Sequence, residues 1–268
     1  MKLSVIIPVY NEIHTLDSIL GKVVKALPEV EKEIIIVDDG STDGTREWLM
    51  HKAEQFALSS LTLESGHRTI KSGAVEPAAL PSTTLHPVPT VTAIYHEQNQ
   101  GKGAALRTGF QAATGDVITV QDADLEYDPQ DWCRMWRLIV EGWADVVYGS
   151  RFYGEPHRVL YFHHYLGNKI ITNAINLLCN TTLSDVEVGT KMFRSEVLEE
   201  LQLTCNDFGF EVEFTVKVST SHRRWRLYET GIAYYGRTYA EGKKISWRDG
   251  LKALWYVIKF RLGGRSGG

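Results

Sequence analysis

The sequence has few cysteines, no long apolar run and no excess of positive charge. Its three cysteines are scattered and lack the spacing of a metal site or a disulfide framework, which fits a reducing compartment. No apolar run approaches the roughly 20 residues that a membrane-spanning helix needs, and the one within residues 1–8 is too short for a signal peptide. The net charge of −4 argues against a general nucleic-acid-binding protein. We therefore expect a cytoplasmic protein, which leaves open a peripheral position on the inner face of the membrane.

Proline is also scarce, and four of the 8 prolines fall in one segment, at positions 77, 81, 87 and 89. The segment 59–90 is rich in Ser and Thr and shows little apolar periodicity. This composition predicts a long inserted loop that is flexible, and it favours that interpretation over a structured mobile lid. The rest of the chain is ordinary for a globular protein, with 43% hydrophobic and 23% charged residues.

Short β-branched runs alternate with amphipathic segments in the first half of the chain. The pattern predicts strands at residues 3–7, 33–37, 91–95 and 116–120. It predicts helices at residues 16–27, 43–56 and 101–113. Such alternation is typical of parallel βαβ units with helices on both faces of the sheet.

The second half of the chain is less regular. Helices are predicted at residues 129–141, 166–178, 211–220 and 246–262. Strands are predicted at residues 144–148, 190–193 and 226–235. The last helix has aromatic and aliphatic residues on one face and basic residues on the rest, which suits a membrane surface, its own core or a partner subunit.

Two acidic residues, Asp122 and Asp124, come shortly after the strand predicted at 116–120. In an extended segment these side chains point to the same side, at the sheet edge where open α/β folds bind ligands. A solvated acidic turn is the simpler explanation of so short a motif. If the carboxylates do converge, a cation or a proton must neutralise them. Oxygen-only ligands favour Mg²⁺ or Mn²⁺, which commonly hold a phosphate-bearing substrate.

Other motifs fall at the same predicted edge. The turns at 8–12 and 38–41 follow the first two strands, and their Tyr and carboxylate side chains suit a nucleobase and its ribose. The segment 99–103, Asn-Gln-Gly-Lys-Gly, precedes a helix, where small residues and the helix N-terminus favour an anion such as a diphosphate. Its spacing is not that of a P-loop.

Six segments carry a family resemblance: 5–12, 37–45, 99–103, 122–125, 149–151 and 237–243. They resemble family 2 glycosyltransferases of the GT-A fold, and within that family most closely the dolichyl- and polyprenyl-phosphate sugar synthases. The resemblance implies one α/β domain, residues 1–262, with a Rossmann-like, mostly parallel sheet flanked by helices. Its parts would be a nucleotide-sugar-binding half (1–128), an acceptor-side half (129–245), an amphipathic helix (246–262) and a tail (263–268).

The resemblance also implies roles for matched side chains. The nucleotide sugar would contact Pro8, Tyr10, Glu12, Asp39, Lys102 and Asp122. A divalent ion, Mg²⁺ or Mn²⁺, would be bound by Asp122, Asp124 and Glu126. The acceptor phosphate would face Arg151, Arg158, Arg237 and Lys243. Catalysis would depend chiefly on Asp122, Asp124, Arg151 and Arg237.

The side chains after Asp124 agree with a phosphate acceptor. A hydroxyl acceptor needs a general base, whereas a phosphate monoester is already ionised near neutral pH, since its second pKa is about 6. The second half offers several cations but no compelling His–carboxylate pair. We therefore predict an inverting, metal-dependent transfer of mannose or glucose from a nucleotide sugar, GDP-mannose or UDP-glucose, to polyprenyl or dolichyl phosphate.

Two alternatives stay open. Transfer to a sugar hydroxyl in glycan or glycolipid assembly would need a carboxylate base near the acceptor, for which Asp185 and Glu187 are weak candidates. His163 and His164 could also act as a base, but adjacent histidines in a Tyr/Phe-rich loop are more often structural or exposed. A non-catalytic nucleotide-sugar-binding protein could keep the same pocket. The intact Asp122 and Asp124 argue against it.

Overall fold

The computed structural model describes residues 1–52, 87–159, 161–238, 241 and 247–263. Within these ranges a seven-stranded sheet carries helices on both faces, which confirms the predicted α/β class with a mostly parallel sheet. The predicted loop 59–90 lies outside the described residues except for its last four, and so does the tail beyond residue 263.

The strands have the order β3-β2-β1-β4-β6-β5-β7 across the sheet. Their bounds are β1 Leu3–Val9, β2 Lys32–Asp38, β3 Thr90–Tyr95, β4 Val117–Val120, β5 Val146–Ser150, β6 Lys191–Arg194 and β7 Leu227–Gly231. The β6 strand is antiparallel to β4 and β5, and the other described pairings are parallel. The segment that enters β6 therefore lies at the edge where the parallel strands end.

Eight helices are described. They are α1 Leu16–Lys25, α2 over residues 45–52, α3 Lys102–Ala112, α4 Trp132–Val140, α5 Phe162–Cys179, α6 Glu196–Glu200, α7 Phe210–Ser219 and α8 Trp247–Gly263. The helix predicted at 43–56 is followed only to residue 52. A 3₁₀ turn at Pro129–Asp131 leads into α4, where Asp128 caps the turn by accepting a hydrogen bond from the Gln130 amide.

The central strand β1 is apolar along most of its length because helices cover both faces of the sheet. Ile6 belongs to a core cluster that includes residues of α3, α5, α7 and α8. Val5 and Ile7 point the other way and belong to a second cluster with residues of α1 and α4. The alternation of β1 side chains thus links two hydrophobic layers.

The sequence predicted the described strands within a few residues, with one clear difference. The strand predicted at 226–235 ends at Gly231, and after the Ile232 amide, which still donates to Ser150 O of β5, the chain bonds to loops. The Tyr234 amide donates to Pro156 O and the Tyr235 amide donates to Glu126 O. Helix α5 begins at Phe162, four residues earlier than predicted.

Helix α8 presents two different apolar faces. One packs into the core through Ala253, Tyr256, Val257 and Phe260. On the other, the side chains of Leu251, Trp255, Ile258 and Leu262 are each more than half exposed. No described helix has both the length and the apolar character that crossing a bilayer requires.

Candidate active site

A cavity of about 890 Å³ lies at the edge where the parallel strands end. It is lined by the turns after β1, β2 and β4, by the segment that enters β6, and by parts of α5, α7 and α8. Most of the predicted site residues line this cavity: Pro8, Tyr10, Glu12, Asp39, Lys102, Asp122, Asp124, Glu126, Arg151 and Arg237.

Asp122 is the first acidic residue after β4, and it pairs with a buried lysine. Lys102 Nζ lies 2.7 Å from Asp122 Oδ1 and 3.4 Å from an oxygen of Glu211. Burial lowers the pKa of Lys102, but the charges of Asp122 and Glu211 outweigh burial and raise it. Gly189 packs directly on Asp122, since a Cβ there would lie 2.2 Å from Asp122 Oδ2.

Asp124 follows in a turn and not in an extended segment, because Leu125 has a left-handed φ of 62°. Its Oδ2 lies 2.8 Å from Arg237 Nη2. The same guanidinium lies 3.4 Å from Glu126 and 3.6 Å from Glu12. Burial, followed by the charges of Asp122 and Glu126, raises the pKa of Asp124 to about 7, against the opposing effect of Arg237.

These carboxylates suit a divalent ion by their chemistry. Among the described residues, no group of three or more His, Cys, Asp or Glu side chains is arranged to hold a metal ion. However, Asp122, Asp124 and Glu126 line one cavity and offer only oxygen donors, and burial together with their mutual repulsion raises the pKa of Asp124. A hard cation such as Mg²⁺ or Mn²⁺ would relieve that repulsion. The donor set therefore fits such an ion, and the ligand set stays a prediction.

Arg151 also lines the cavity, and a buried carboxylate holds it in place. Its Nε and Nη2 each donate to Asp185 at 2.7 Å, and its guanidinium lies 5.4 Å from the ring centre of Tyr234. Asp185 also accepts from Asn168 Nδ2. Burial raises the pKa of Asp185, but Arg151 outweighs it and the pKa is lowered. Asp185 therefore orients Arg151 and is a weak candidate for a general base.

Asp39 holds the turn that begins α3. Its carboxylate accepts hydrogen bonds from the backbone amides of Gln100 at 3.0 Å and Gly101 at 2.8 Å. His96 Nδ1 lies 2.7 Å from Asp39 Oδ1, and His96 Nε2 lies 2.9 Å from Thr108 Oγ1. Asp39 therefore stabilises the segment 99–103 and also lines the cavity. His96 was not among the predicted site residues, although its place directly after β3 puts it at this edge.

One predicted acceptor residue, Arg158, is not brought to the cavity. Arg158 bonds Glu241 at 2.8 Å and the backbone oxygen of Gly236, and it does not line the cavity described here. Its guanidinium is thus engaged at a neighbouring loop. Lys243 lies outside the described residues. His163 and His164, in contrast, line the cavity from the first turn of α5.

Residues 4–63 and 86–202 match the family model described as "Glycosyl transferase family 2". The undecaprenyl-phosphate mannosyltransferase of Micrococcus luteus is 27% identical over 283 residues, which cover 98% of this chain and 100% of that protein. The dolichol-phosphate mannosyltransferase of Pyrococcus furiosus is 29% identical over 265 residues, which cover 97% of this chain and 64% of that protein.

Solved structures show the same fold. The glucosyl-3-phosphoglycerate synthase of Mycobacterium tuberculosis, in complex with Mn²⁺, uridine diphosphate and phosphoglyceric acid, superposes with a TM-score of 0.65 at 16% identity. The match covers 99% of this chain and 78% of that one. With the family match over both halves of the sheet, the chain belongs to glycosyl transferase family 2 and has the GT-A fold.

Proposed function

We propose that this protein is an inverting hexosyltransferase that moves mannose or glucose from a nucleotide sugar to a polyprenyl phosphate. One observation carries the proposal: acidic residues and arginines line a single cavity at the edge where the parallel strands end. The acids suit a metal-bound diphosphate, and the arginines suit a second phosphate. The relatives named for undecaprenyl and dolichol phosphate support the acceptor class.

In the proposed reaction the donor lies between the turns after β1, β2 and β4. Asp122 and Asp124, with Glu126, would bind Mg²⁺ or Mn²⁺, which offsets the charge of the departing nucleoside diphosphate. Pro8, Tyr10, Glu12, Asp39 and Lys102 would hold the rest of the nucleotide sugar. These residues belong to the half of the domain assigned to the donor, 1–128.

Arg237 and Arg151 would hold the acceptor phosphate in line with the anomeric carbon. A phosphate oxygen forms a bond to that carbon as the bond to the diphosphate oxygen breaks, and the electron pair leaves with the nucleoside diphosphate. The phosphate is already ionised near neutral pH, so no general base is needed. A single displacement of this kind inverts the configuration.

The test is to incubate the protein with GDP-mannose or UDP-glucose, Mn²⁺ and a short polyprenyl phosphate, and to identify products by mass. Proton NMR of the first product should show the inverted anomer, and a retained anomer would refute single displacement. Asp124→Ala should abolish transfer, while Asp17→Ala, an exposed acid on α1, should not change it. Tight nucleotide binding without turnover on any acceptor would instead favour a non-catalytic binding protein.

We also propose a peripheral position at the cytoplasmic face of the membrane. The exposed face of α8 carries Leu251, Trp255, Ile258 and Leu262, and Lys259 lies 5.1 Å from the Trp255 ring. An apolar face flanked by basic residues suits an anionic bilayer. Trp255→Ser should weaken sedimentation with anionic vesicles, and equal sedimentation of the variant and the wild type would contradict this position.

A second candidate is transfer to a sugar hydroxyl. Glu187 favours it, because this carboxyl lines the cavity and burial, then the charge of Glu211, raise its pKa to about 7. Under this alternative, product would form with glycan or glycolipid acceptors and not with polyprenyl phosphate. The acceptor panel therefore separates the two reactions.

A further inference from the structure

The position of the Arg151 guanidinium in the cavity depends on Asp185, which is fully buried. The Asp185 carboxylate accepts hydrogen bonds from the Arg151 backbone amide at 3.1 Å and from Arg151 Nε and Nη2 at 2.7 Å each. The main chain and the side chain of Arg151 are thus bonded to one carboxylate. A displacement of Asp185 would therefore displace the guanidinium with it.

Glu229 of β7 holds the main chain at Asp185 from outside the cavity. Its Oε1 accepts hydrogen bonds from the backbone amides of Ser184 at 3.0 Å and Asp185 at 3.1 Å, and its Oε2 lies 3.1 Å from the Ser184 amide nitrogen. Glu229 is not among the described residues that line the active-site cavity, and it lines a separate cavity of about 530 Å³. Glu229 therefore acts on Asp185 without facing the reacting groups.

The hydrogen bonds to Glu229 cannot be lost without a rearrangement of the loop before β6. Ser184 and Asp185 are both buried, and in the part of the chain that the structure describes Glu229 is the acceptor for both backbone amides. The contact from α5, where Lys169 Nζ donates to Ser184 O at 3.0 Å, engages a carbonyl and cannot satisfy these amides. A buried N–H without an acceptor is costly, so removal of the Glu229 carboxylate would force the two residues to shift towards another acceptor.

We propose that Glu229 is a positioning residue for the acceptor phosphate, an assignment that rests on the proposed function. Glu229 fixes the two amides, the amides fix Asp185, and Asp185 fixes the Arg151 guanidinium that would bind the phosphate. The donor side has a separate partner, since Asp122 pairs with Lys102. Loss of the Glu229 carboxylate should therefore weaken acceptor use and leave donor binding intact.

Kinetics and calorimetry on the full chain test this separation, with farnesyl phosphate as the acceptor. Glu229→Ala should lower kcat/KM for farnesyl phosphate about tenfold, because the displaced guanidinium loses a charge-assisted hydrogen bond to the phosphate. The Kd of the nucleotide sugar, GDP-mannose or UDP-glucose with Mn²⁺, should not change. Glu229→Gln keeps an oxygen that can accept from both amides, so it should lose only about threefold, and it gives a second measurement if Glu229→Ala folds poorly.

The matched control is Glu200→Ala. The Glu200 carboxylate is also partly buried, and it accepts hydrogen bonds from Ser221 Oγ at 2.7 Å and Trp225 Nε1 at 3.1 Å. Its removal breaks contacts of the same kind without touching the amides of Ser184 and Asp185. Glu200→Ala should therefore change neither kcat/KM for farnesyl phosphate nor the Kd of the nucleotide sugar.

A double-mutant cycle shows whether Glu229 acts through Arg151. Binding of farnesyl phosphate is measured by calorimetry in the presence of Mn²⁺ and free GDP or UDP, so that slow turnover of a variant does not matter. Arg151→Ala alone should weaken this binding, and Glu229→Ala should add less than about twofold in the Arg151→Ala background. Losses that multiply in the double variant would overturn the proposal.

A spectroscopic measurement reports the environment of Arg151 without any substrate. In proton–nitrogen NMR spectra the Nε–H signal of Arg151 is assigned by its absence in Arg151→Lys. Glu229→Ala should raise the exchange rate of this proton with water about tenfold or more, because the contact with Asp185 opens more often. An unchanged exchange rate, or equal losses of donor and acceptor affinity, would overturn the proposal.

Failure of the proposed function would give a different result. A wild type that binds the nucleotide sugar but neither binds nor glycosylates farnesyl phosphate would contradict the acceptor class. The exchange rate of the Arg151 proton would still show whether Glu229 holds that guanidinium in place.

Discussion

The guanidinium of Arg237 lies 2.8 Å from Asp124 and also within 3.6 Å of Glu12. Arg237 is assigned to the acceptor phosphate, and both carboxylates are assigned to the donor side. Under the proposed function, the donor and acceptor sites would thus share one cation. A divalent ion bound to Asp124 would weaken the attraction between Asp124 and Arg237. The Arg237 guanidinium would then be more available to a phosphate.

Arg237→Ala should therefore impair acceptor use more than donor use. A charge-assisted hydrogen bond contributes roughly 1.5–3 kcal/mol, so the KM for a short polyprenyl phosphate should rise about tenfold or more. Steady-state kinetics with each substrate varied in turn measures the effect. Arg158→Ala is the matched control, since Arg158 bonds Glu241 outside the cavity. Unchanged acceptor kinetics in Arg237→Ala would end the assignment.

Asp124→Asn should stabilise the metal-free protein at alkaline pH. Burial beside Asp122 and Glu126 raises the pKa of Asp124 from 3.8 to about 7, so the folded state holds the proton more tightly than the unfolded state. The stability that Asp124 contributes is fully present below pH 3.8 and is lost as the pH rises through 7. The melting temperature of Asp124→Asn should thus exceed that of the wild type at about pH 8. The difference in melting temperature should shrink towards about pH 4. A variant less stable than the wild type at the alkaline end would contradict the repulsion.

Glu33→Gln should destabilise the protein at neutral pH by about 2 kcal/mol. Burial raises the pKa of Glu33, but hydrogen bonds from Lys2, Ser4 and Thr114 outweigh it and lower the pKa to about 2. This stability is present above pH 4.5 and is lost as the pH falls through 2. Urea titrations at about pH 7 and about pH 3 measure the change. Glu31→Gln, at an exposed position, should have little effect.

Two glycine substitutions should shift stability in opposite directions. A Cβ on Gly109 of α3 would lie 2.4 Å from Ile6 Cγ2. Gly109→Ala should therefore lower the free energy of unfolding by about 1–3 kcal/mol, because it overpacks the contact with β1.

Gly21 lies on the exposed side of α1, and a Cβ added there would have no neighbour within 4 Å. Gly21→Ala should therefore raise the free energy of unfolding by about 0.5–1 kcal/mol. Thermal melts of both variants test the packing of helices on the sheet.

The sequence predicted the parallel strands well because apolar runs covered on both faces have a clear local pattern. It could also group Asp39, Asp122 and Asp124 at one edge, since parallel strands end together. It could not find the pair of Arg151 with Asp185 or of Lys102 with Glu211. Those contacts join residues far apart along the chain, and no local pattern encodes them.

The sequence also did not predict the left-handed backbone conformation of Leu125. The prediction for Asp122 and Asp124 assumed an extended segment, whereas the chain turns there and the two carboxylates meet different cations. The turn places Asp124 beside Arg237, which lies 113 residues later in the chain. Tertiary contacts, and not the two-residue spacing, set the environment of each acid.

The reversed direction of β6 has a consequence for how the walls of the cavity are connected. The turns after β1, β2 and β4 leave the sheet at this edge, whereas the loop before β6 enters the sheet there. This loop carries Asp185, which holds Arg151, and Gly189, which packs on Asp122. A change in the length of the loop would therefore displace a cation and an acid of the cavity together.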